Sequence, residues 1–259
     1  MKKIFCAVIF LLCLINISAA FAAEQRAYAL ADSVRLYARA SEGSKYTEVS
    51  LPDDGVTVPS ATRDAKDNVW YKVNLDGQTG WLAQEGIRLK MGGKSKTASN
   101  LFRKCAAARQ KIINNPGTQW EEGSAVDNSG SAAGGGSVIT FVNSNGGLFQ
   151  VVKKGSSSKL EDVYFKAVSS SMCKLFLGFD AIGMDRTEIR AKIGTPTVRE
   201  TPPGEPNVSI TSYELADKNM TLAFHFTDGL IDYFELYKGS AGEINKGWTP
   251  DVLYEREQI

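Results

Sequence analysis

Alternation at every second position is clearest in the C-terminal third of the chain. Leu222, Phe224 and Phe226 point one way and Ala223 and His225 the other, the period of a strand with one buried face. Three strands are expected, at about 209–216, 220–227 and 230–237, with turns at Asp217-Lys218-Asn219 and Asp228-Gly229. Just upstream the period lengthens. Ile189 and Ile193 share a helical face, Asp185 and Glu188 read as a capping-box start, and Gly194 then Pro196 end the helix. A second helical pattern runs through Leu101, Cys105, Ala108 and Ile112, with Ser99 as N-cap and Asn115-Pro116-Gly117 as its stop.

Between these helices, Val138 to Val152 reads as two strands around Asn143-Ser144-Asn145-Gly146-Gly147. Gly123 to Ser137 is rich in Gly, Ser and Ala and is expected as an exposed loop. Residues 159–179 satisfy both periods: Val163 and Ala167 suit a helix, while Cys173, Leu175, Leu177 and Phe179 alternate as in a strand. Nearer the N-terminus the strand candidates are Val34–Tyr37, Val56–Val58, Trp70–Val73 and Gly80–Leu82. Pro52-Asp53-Asp54-Gly55 and Asp76-Gly77 supply turn chemistry between them.

Residues 1–22 read as a secretory signal. Lys2 and Lys3 precede an unbroken apolar run from Ile4 to Ile15, and Ala20-Phe21-Ala22 fits a cleavage site. The run is too short to span a bilayer comfortably, and Cys13 follows Leu12, which does not suit lipidation. The expected destination is the periplasm, or an extracellular, cell-wall-associated position, with no transmembrane span after cleavage. Cleavage removes Cys6 and Cys13 and leaves Cys105 and Cys173. An even count in an oxidising compartment suggests a Cys105–Cys173 disulfide; the other reading is two buried thiols.

The whole chain has 259 residues and a formal net charge of +1, with 43% hydrophobic residues. That excludes a disordered chain and gives no global field for nucleic acid. The charge is unevenly spread: residues 91–115 carry six basic and no acidic side chains, whereas 176–259 carry eight and fourteen. A solvated basic helix face accounts for the first run; docking on the acidic C-terminal part, or on an anionic wall polymer, is the other reading. A single histidine and two distant mature cysteines do not give metal-ligand spacing, and Gly134-Gly135-Gly136 lacks the Lys-Ser/Thr of a phosphate loop. No cofactor or metal is expected.

Ala27–Asp32, Leu36–Ser41, Leu51–Val58 and Trp70–Val73 with Gly80–Leu82 together resemble the bacterial SH3-like (SH3b) family over about sixty residues. The sequence departs from it at Ser41-Glu42-Gly43, in the first long loop. The resemblance implies a small five- to six-stranded barrel, commonly a binding module for peptidoglycan. Tyr37, Arg39, Trp70 and Trp81 then line a candidate groove that stacks on a sugar face or holds a carboxylate. Alternatively the two tryptophans close the small core.

A second stretch resembles the BamE/SmpA-like family of small envelope domains. It is carried by Ile182–Ile189, Ile193–Pro196, Ser212–Leu215, Leu222–Phe226 and Asp228-Gly229. A weak internal repeat of helix, loop and hairpin also admits a duplication, as in the tandem layout of β-lactamase-inhibitor-protein-like folds.

The expected fold class is therefore α+β: an SH3-like barrel followed by an α+β region of helix plus antiparallel meander, with that region open to duplication. The boundaries are 1–22 signal, 23–90 SH3-like domain, 91–100 linker, 101–178 helix plus hairpin region, 179–240 BamE-like unit and 241–259 tail. The function expected is non-catalytic: binding or scaffolding in the cell envelope, with peptidoglycan or an envelope protein as partner. The alternatives are an inhibitor or assembly factor acting through the C-terminal region, or a cell-wall peptidase built on Cys105 and His225. Against the peptidase, Arg103-Lys104-Cys105-Ala106-Ala107 lacks the Asp before and the Ser-Gly after such a cysteine, and His225 sits between two phenylalanines.

Overall fold

A computed structural model describes residues 25–66, 68–93, 95–123, 126–127, 137–153, 160–215 and 218–241. The expected signal, most of the Gly123–Ser137 loop, Asp217 of the expected turn and the tail beyond 241 lie outside the described residues.

The N-terminal part forms eight short strands: β1 (Arg26–Ala29), β2 (Val34–Tyr37), β3 (Tyr46–Val49), β4 (Val56–Thr57), β5 (Ser60–Arg63), β6 (Val69–Leu75), β7 (Gln78–Ala83) and β8 (Ile87–Lys90). Helix α1 (Lys96–Asn114) follows, then β9 (Trp120–Glu122), β10 (Val126–Asp127), β11 (Ser137–Asn143), β12 (Gly147–Lys153) and β13 (Leu160–Ala167). Helices α2 (Ser170–Leu177) and α3 (Arg186–Ile193) precede β14 (Val198–Thr201), β15 (Val208–Leu215), β16 (Met220–Thr227) and β17 (Leu230–Lys238).

These strands make two antiparallel sheets. The smaller has the order β3-β2-β7-β6-β5. The larger runs β10-β11-β12-β13-β17-β16-β15-β14-β8-β1-β4, with β9 also paired to β11. The expected α+β class is thus overturned: the chain is mostly antiparallel sheet, with three helices among the described residues. The physical reason is strand pairing at both ends of the expected meander unit. One edge of β14–β17 continues into β13 and the other into β8, so no separate helix-plus-meander closes on itself.

The β8–β14 seam joins the two halves of the chain. Arg88 and Glu200 lie opposite each other there and form an ion pair. Met91 N–H donates to the Thr197 carbonyl at 2.7 Å and Gly86 N–H to the Thr201 carbonyl at 2.9 Å. The stretch expected as a linker, 91–100, lies against this seam. A Cβ on Gly93 would come within 2.3 Å of the Pro196 carbonyl oxygen, so only glycine lets the two backbones approach so closely. Helix α1 begins within the same stretch, capped by Ser95, whose hydroxyl accepts from Ala98 N–H at 3.0 Å and donates to the Ile193 carbonyl.

One face of the large sheet carries the two larger hydrophobic cores, and a small cluster of Tyr164, Ala223 and Tyr237 lies on the other. Under the N-terminal strands, Ala27, Leu36, Val56, Val58, Val69, Tyr71, Val73, Leu82, Ile87 and Leu89 pack between the two sheets. Under the C-terminal strands, Phe149, Phe165, Phe224 and Phe234 pack against Leu101 and Cys105 of α1, Cys173 and Phe176 of α2, and Ile189 and Ile193 of α3. The ambiguous stretch 159–179 divides into both states, in the reverse of its weak cues: Leu160–Ala167 is strand and Ser170–Leu177 helix. Ser169 caps that helix by accepting from Met172 N–H, and Met172, Cys173, Phe176 and Leu177 form its buried side. Leu175, the odd member of the apparent alternation, faces solvent.

The α3 capping box forms as the spacing predicts: Asp185 Oδ1 accepts from Glu188 N–H at 2.8 Å and Glu188 Oε2 from Asp185 N–H at 2.9 Å. Asp76-Gly77 and Asp228-Gly229 both take positive φ values, as two-residue hairpin turns require. Among the described residues no helix is long and apolar enough to cross a membrane.

Candidate functional site

Register decides which side chains the small sheet offers to solvent. Leu36 pairs with Leu82 and Tyr71 with Leu82, and all three are in the core between the sheets. Their neighbours Arg35, Tyr37, Trp70, Lys72 and Trp81 therefore occupy the outer face. Tyr37 stands opposite both Tyr46 and Trp81. Its ring centroid lies 5.1 Å from that of Trp70, edge to face at 87°, and 5.4 Å from that of Tyr46.

Trp70 is fully buried, although it sits outside the inter-sheet core. Its indole N–H donates to Asp64 Oδ2 at 3.0 Å. Asp64 also accepts the Lys66 and Asn68 backbone N–H groups, at 2.9 and 3.0 Å. The Trp70 hydrogen bond, with these others, holds the Asp64 carboxyl below the usual carboxylate range. Trp70 is thus a support under Tyr37 rather than a surface for a ligand.

Beside Tyr37 a cavity of about 350 Å³ opens, lined by Ser33, Arg35, Tyr37, Glu48, Glu85 and Pro203 among others. Arg35 faces Glu48 across the β2–β3 ladder, and its guanidinium lies 4.8 Å from the centre of the Tyr46 ring. The Tyr37 hydroxyl, with Tyr46 and Glu48, raises the Arg35 pKa above its already high ordinary value. Glu85 Oε1 accepts from Gly204 N–H at 2.7 Å, which ties the C-terminal half to the cavity rim. The site therefore offers one exposed cation and two carboxylates, with the half-exposed ring of Tyr46 beside them.

Of the four expected groove residues, Tyr37 alone lines this cavity. Trp81 is half-buried one strand away, and Arg39 lies exposed beyond β2, with its backbone N–H donating to Ser44 Oγ at 3.1 Å. The sequence reading missed Arg35 and Glu48. Alternation within Val34–Tyr37 could have found Arg35, because 35 and 37 share a face.

The opposite face of the large sheet holds a second polar cluster. His225 Nε2 lies 3.0 Å from Glu235 Oε2, and Tyr164 donates its hydroxyl to Glu235 Oε1 at 2.8 Å. The imidazole stacks on Tyr233 at 4.2 Å, and Lys166 Nζ sits 4.6 Å from the same ring. Burial works to raise the Glu235 carboxyl, but the hydrogen bonds from His225 and Tyr164 and the charges of His225 and Lys166 outweigh it and hold it low. Cys105 lies in the core under the other face. The sheet itself separates it from His225, so the two do not form a nucleophile–base pair.

Cys105 and Cys173 are held as buried thiols, not as a bridge. Cys105 Sγ is directed at the Phe176 carbonyl, 3.5 Å away. Burial pushes the Cys173 thiol up to about 11 despite the nearby Ala181 and Ile182 amides. Each thiol is turned to a backbone group of its own, which leaves the expected disulfide unformed. Among the described residues no cluster of His, Cys, Asp and Glu is placed to hold a metal.

No protein-family model, curated protein or solved structure matches the chain.

Proposed function

We propose that this is a non-catalytic, exported cell-envelope protein that binds peptidoglycan on the solvent face of its small sheet. The carrying observation is the Arg35–Glu48–Glu85 cavity beside Tyr37 and the half-exposed Tyr46. Wall stem peptides present carboxylates and amines together. Arg35 suits the first and the two glutamates the second. Tyr46 and Trp81 give flat apolar faces on which a sugar ring stacks. The signal-like residues 1–22 and the resemblance of residues 23–90 to SH3-like wall-binding modules support the same reading.

The test is co-sedimentation of the chain lacking residues 1–22 with purified peptidoglycan. Losing one charge-assisted contact weakens binding about tenfold, so Arg35→Ala should remain largely in the supernatant where the parent pellets. Tyr46→Ala should weaken binding less. Equal sedimentation of the parent and both variants would move the ligand elsewhere. The whole chain is needed, because residues 23–90 alone would expose the β8 edge that β14 covers.

A further inference from the structure

Between its two hydrophobic cores, the inner face of the large sheet turns polar. One row across the strands reads Leu89 on β8, Arg199 on β14, Thr211 on β15 and Phe224 on β16. Leu89 belongs to the N-terminal core and Phe224 to the C-terminal one. Ser209, two residues before Thr211 on the same face, accepts a hydrogen bond from Arg186 Nη2. Arg186 opens α3 and extends over the sheet, its guanidinium 5.7 Å from the centre of the Phe226 ring. From the small sheet, Tyr71 brings its hydroxyl within hydrogen-bonding reach of Arg199, and Arg63 is near enough to act on both Tyr71 and Arg186.

At Arg186 and Arg199 this strip gathers positive charge that no described carboxylate pairs with. Burial, with the neighbouring charges of Arg199 and Arg63, pushes the Arg186 guanidinium down to about 10. Among the described residues neither Arg186 nor Arg199 forms an ion pair with a carboxylate. Arg186 Nε, Arg199 Nε and Thr211 Oγ1 are all shielded from solvent without a hydrogen-bond partner. Packing alone would not select this arrangement, since two like charges and three unsatisfied polar atoms shielded from solvent oppose folding. A group carrying negative charge on several oxygens answers both defects. Each guanidinium fork fits two of its oxygens, and the threonine hydroxyl fits another.

We propose that Arg186, Arg199 and Thr211 form a binding site for a phosphoryl group, with Arg63 adding charge at its edge. Two adjacent guanidiniums favour a dianion over a single carboxylate. The site lies on the inner face of the large sheet and shares no residue with the lining of the Arg35 cavity, so it does not depend on the wall-binding reading. Because its groups come from β14, β15 and the start of α3, with β5 and β6 overhead, an occupant would brace the seam between the halves.

The experiment is thermal denaturation and titration calorimetry of the chain lacking residues 1–22 with inorganic phosphate, at constant ionic strength against sodium chloride. Phosphate should raise the midpoint saturably, and Arg199→Met and Arg186→Met should each weaken its binding about tenfold or more. Thr211→Val, nearly isosteric and therefore folded, should weaken it about threefold. A sugar phosphate in place of inorganic phosphate separates the sources: tighter binding marks an esterified ligand, weaker binding the free ion, and either supports the site. A midpoint no higher in phosphate than in chloride overturns the proposal, as does a phosphate shift that both arginine variants and Thr211→Val retain in full.

Discussion

The two cores lie on one side of the same sheet but are closed by different means. The C-terminal core contains seven buried phenylalanines beneath three helices. The N-terminal core contains no phenylalanine, and four of its ten buried residues are valines held between two thin sheets. Aromatic side chains bury far more area than valine. The larger core is thus the stronger of the two, and both share the β8–β14 seam, which closes the open edge of the smaller one. That shared seam predicts a single cooperative unit spanning both halves.

The largest expected effect tests the stronger core. Phe234→Ala should cost about 3–5 kcal/mol in urea unfolding, and Leu82→Ala in the weaker core about 2–5 kcal/mol. The shape of the curve matters more than either magnitude. If the seam couples the halves, both variants shift one common transition. A separate early transition in Leu82→Ala alone would show two independent domains.

Breaking the seam itself comes next. Glu200 is almost wholly buried and Arg88 is its ion-pair partner. Arg88→Met leaves that carboxylate without its countercharge and should cost about 3 kcal/mol, while Arg88→Met with Glu200→Leu should recover most of the loss. Gly93→Ala acts on the same seam through crowding against the Pro196 and Thr195 carbonyls, at about 1–3 kcal/mol. An unchanged midpoint in both Arg88→Met and Gly93→Ala would mean that the seam contributes little.

The sequence made local grammar legible wherever one element carried its own signals. Asp185 and Glu188 fixed the start of α3, and Asp76-Gly77 and Asp228-Gly229 fixed two hairpins, because capping and turn chemistry act within a few residues. The seam was not legible. Ile87-Arg88-Leu89-Lys90 and Val198-Arg199-Glu200-Thr201 are no shorter than Val34–Tyr37, but nothing local says that they pair across more than a hundred residues. The expected class failed for the same reason, since a closed α+β unit was inferred from elements whose outer edges are in fact shared. The candidate site was half legible. Tyr37 was recognised, but the cavity needs Glu85 and Pro203 brought together by that same distant pairing.

On the opposite face, Glu235 in the C-terminal half makes the stability of that cooperative unit depend on pH. Its folded carboxyl titrates below the ordinary value of 4.5, so the ionised form favours folding. The contribution is complete above the ordinary value and fades as pH falls through the depressed one. Glu235→Gln should therefore cost about 1.5 kcal/mol near neutrality, and parent and variant should converge in acid. A difference that stays constant from neutral pH into acid would show that the carboxylate charge is not what Tyr164 and His225 stabilise.

The smallest effect on stability concerns the two thiols, and it separates two histories of the C-terminal core. Cys105 on α1 and Cys173 on α2 belong to the same packed cluster, yet Cys105 Sγ faces the Phe176 carbonyl and Cys173 lies beside the Ala181 and Ile182 amides. Burial and a Cys173 thiol raised to about 11 keep thiolate scarce near neutral pH, and the thiolate is the species that reacts. The native chain lacking residues 1–22 should therefore react slowly with a thiol reagent, and after denaturation without reductant it should yield two thiols. Cys105→Ala and Cys173→Ala should then each cost only the packing of one small apolar group. A chain yielding no thiols on denaturation would instead carry the bridge, closing a loop of about 69 residues that the chain-entropy model values at about 4 kcal/mol. The helices α1 and α2 would then have to turn both sulfurs away from the backbone groups they face here.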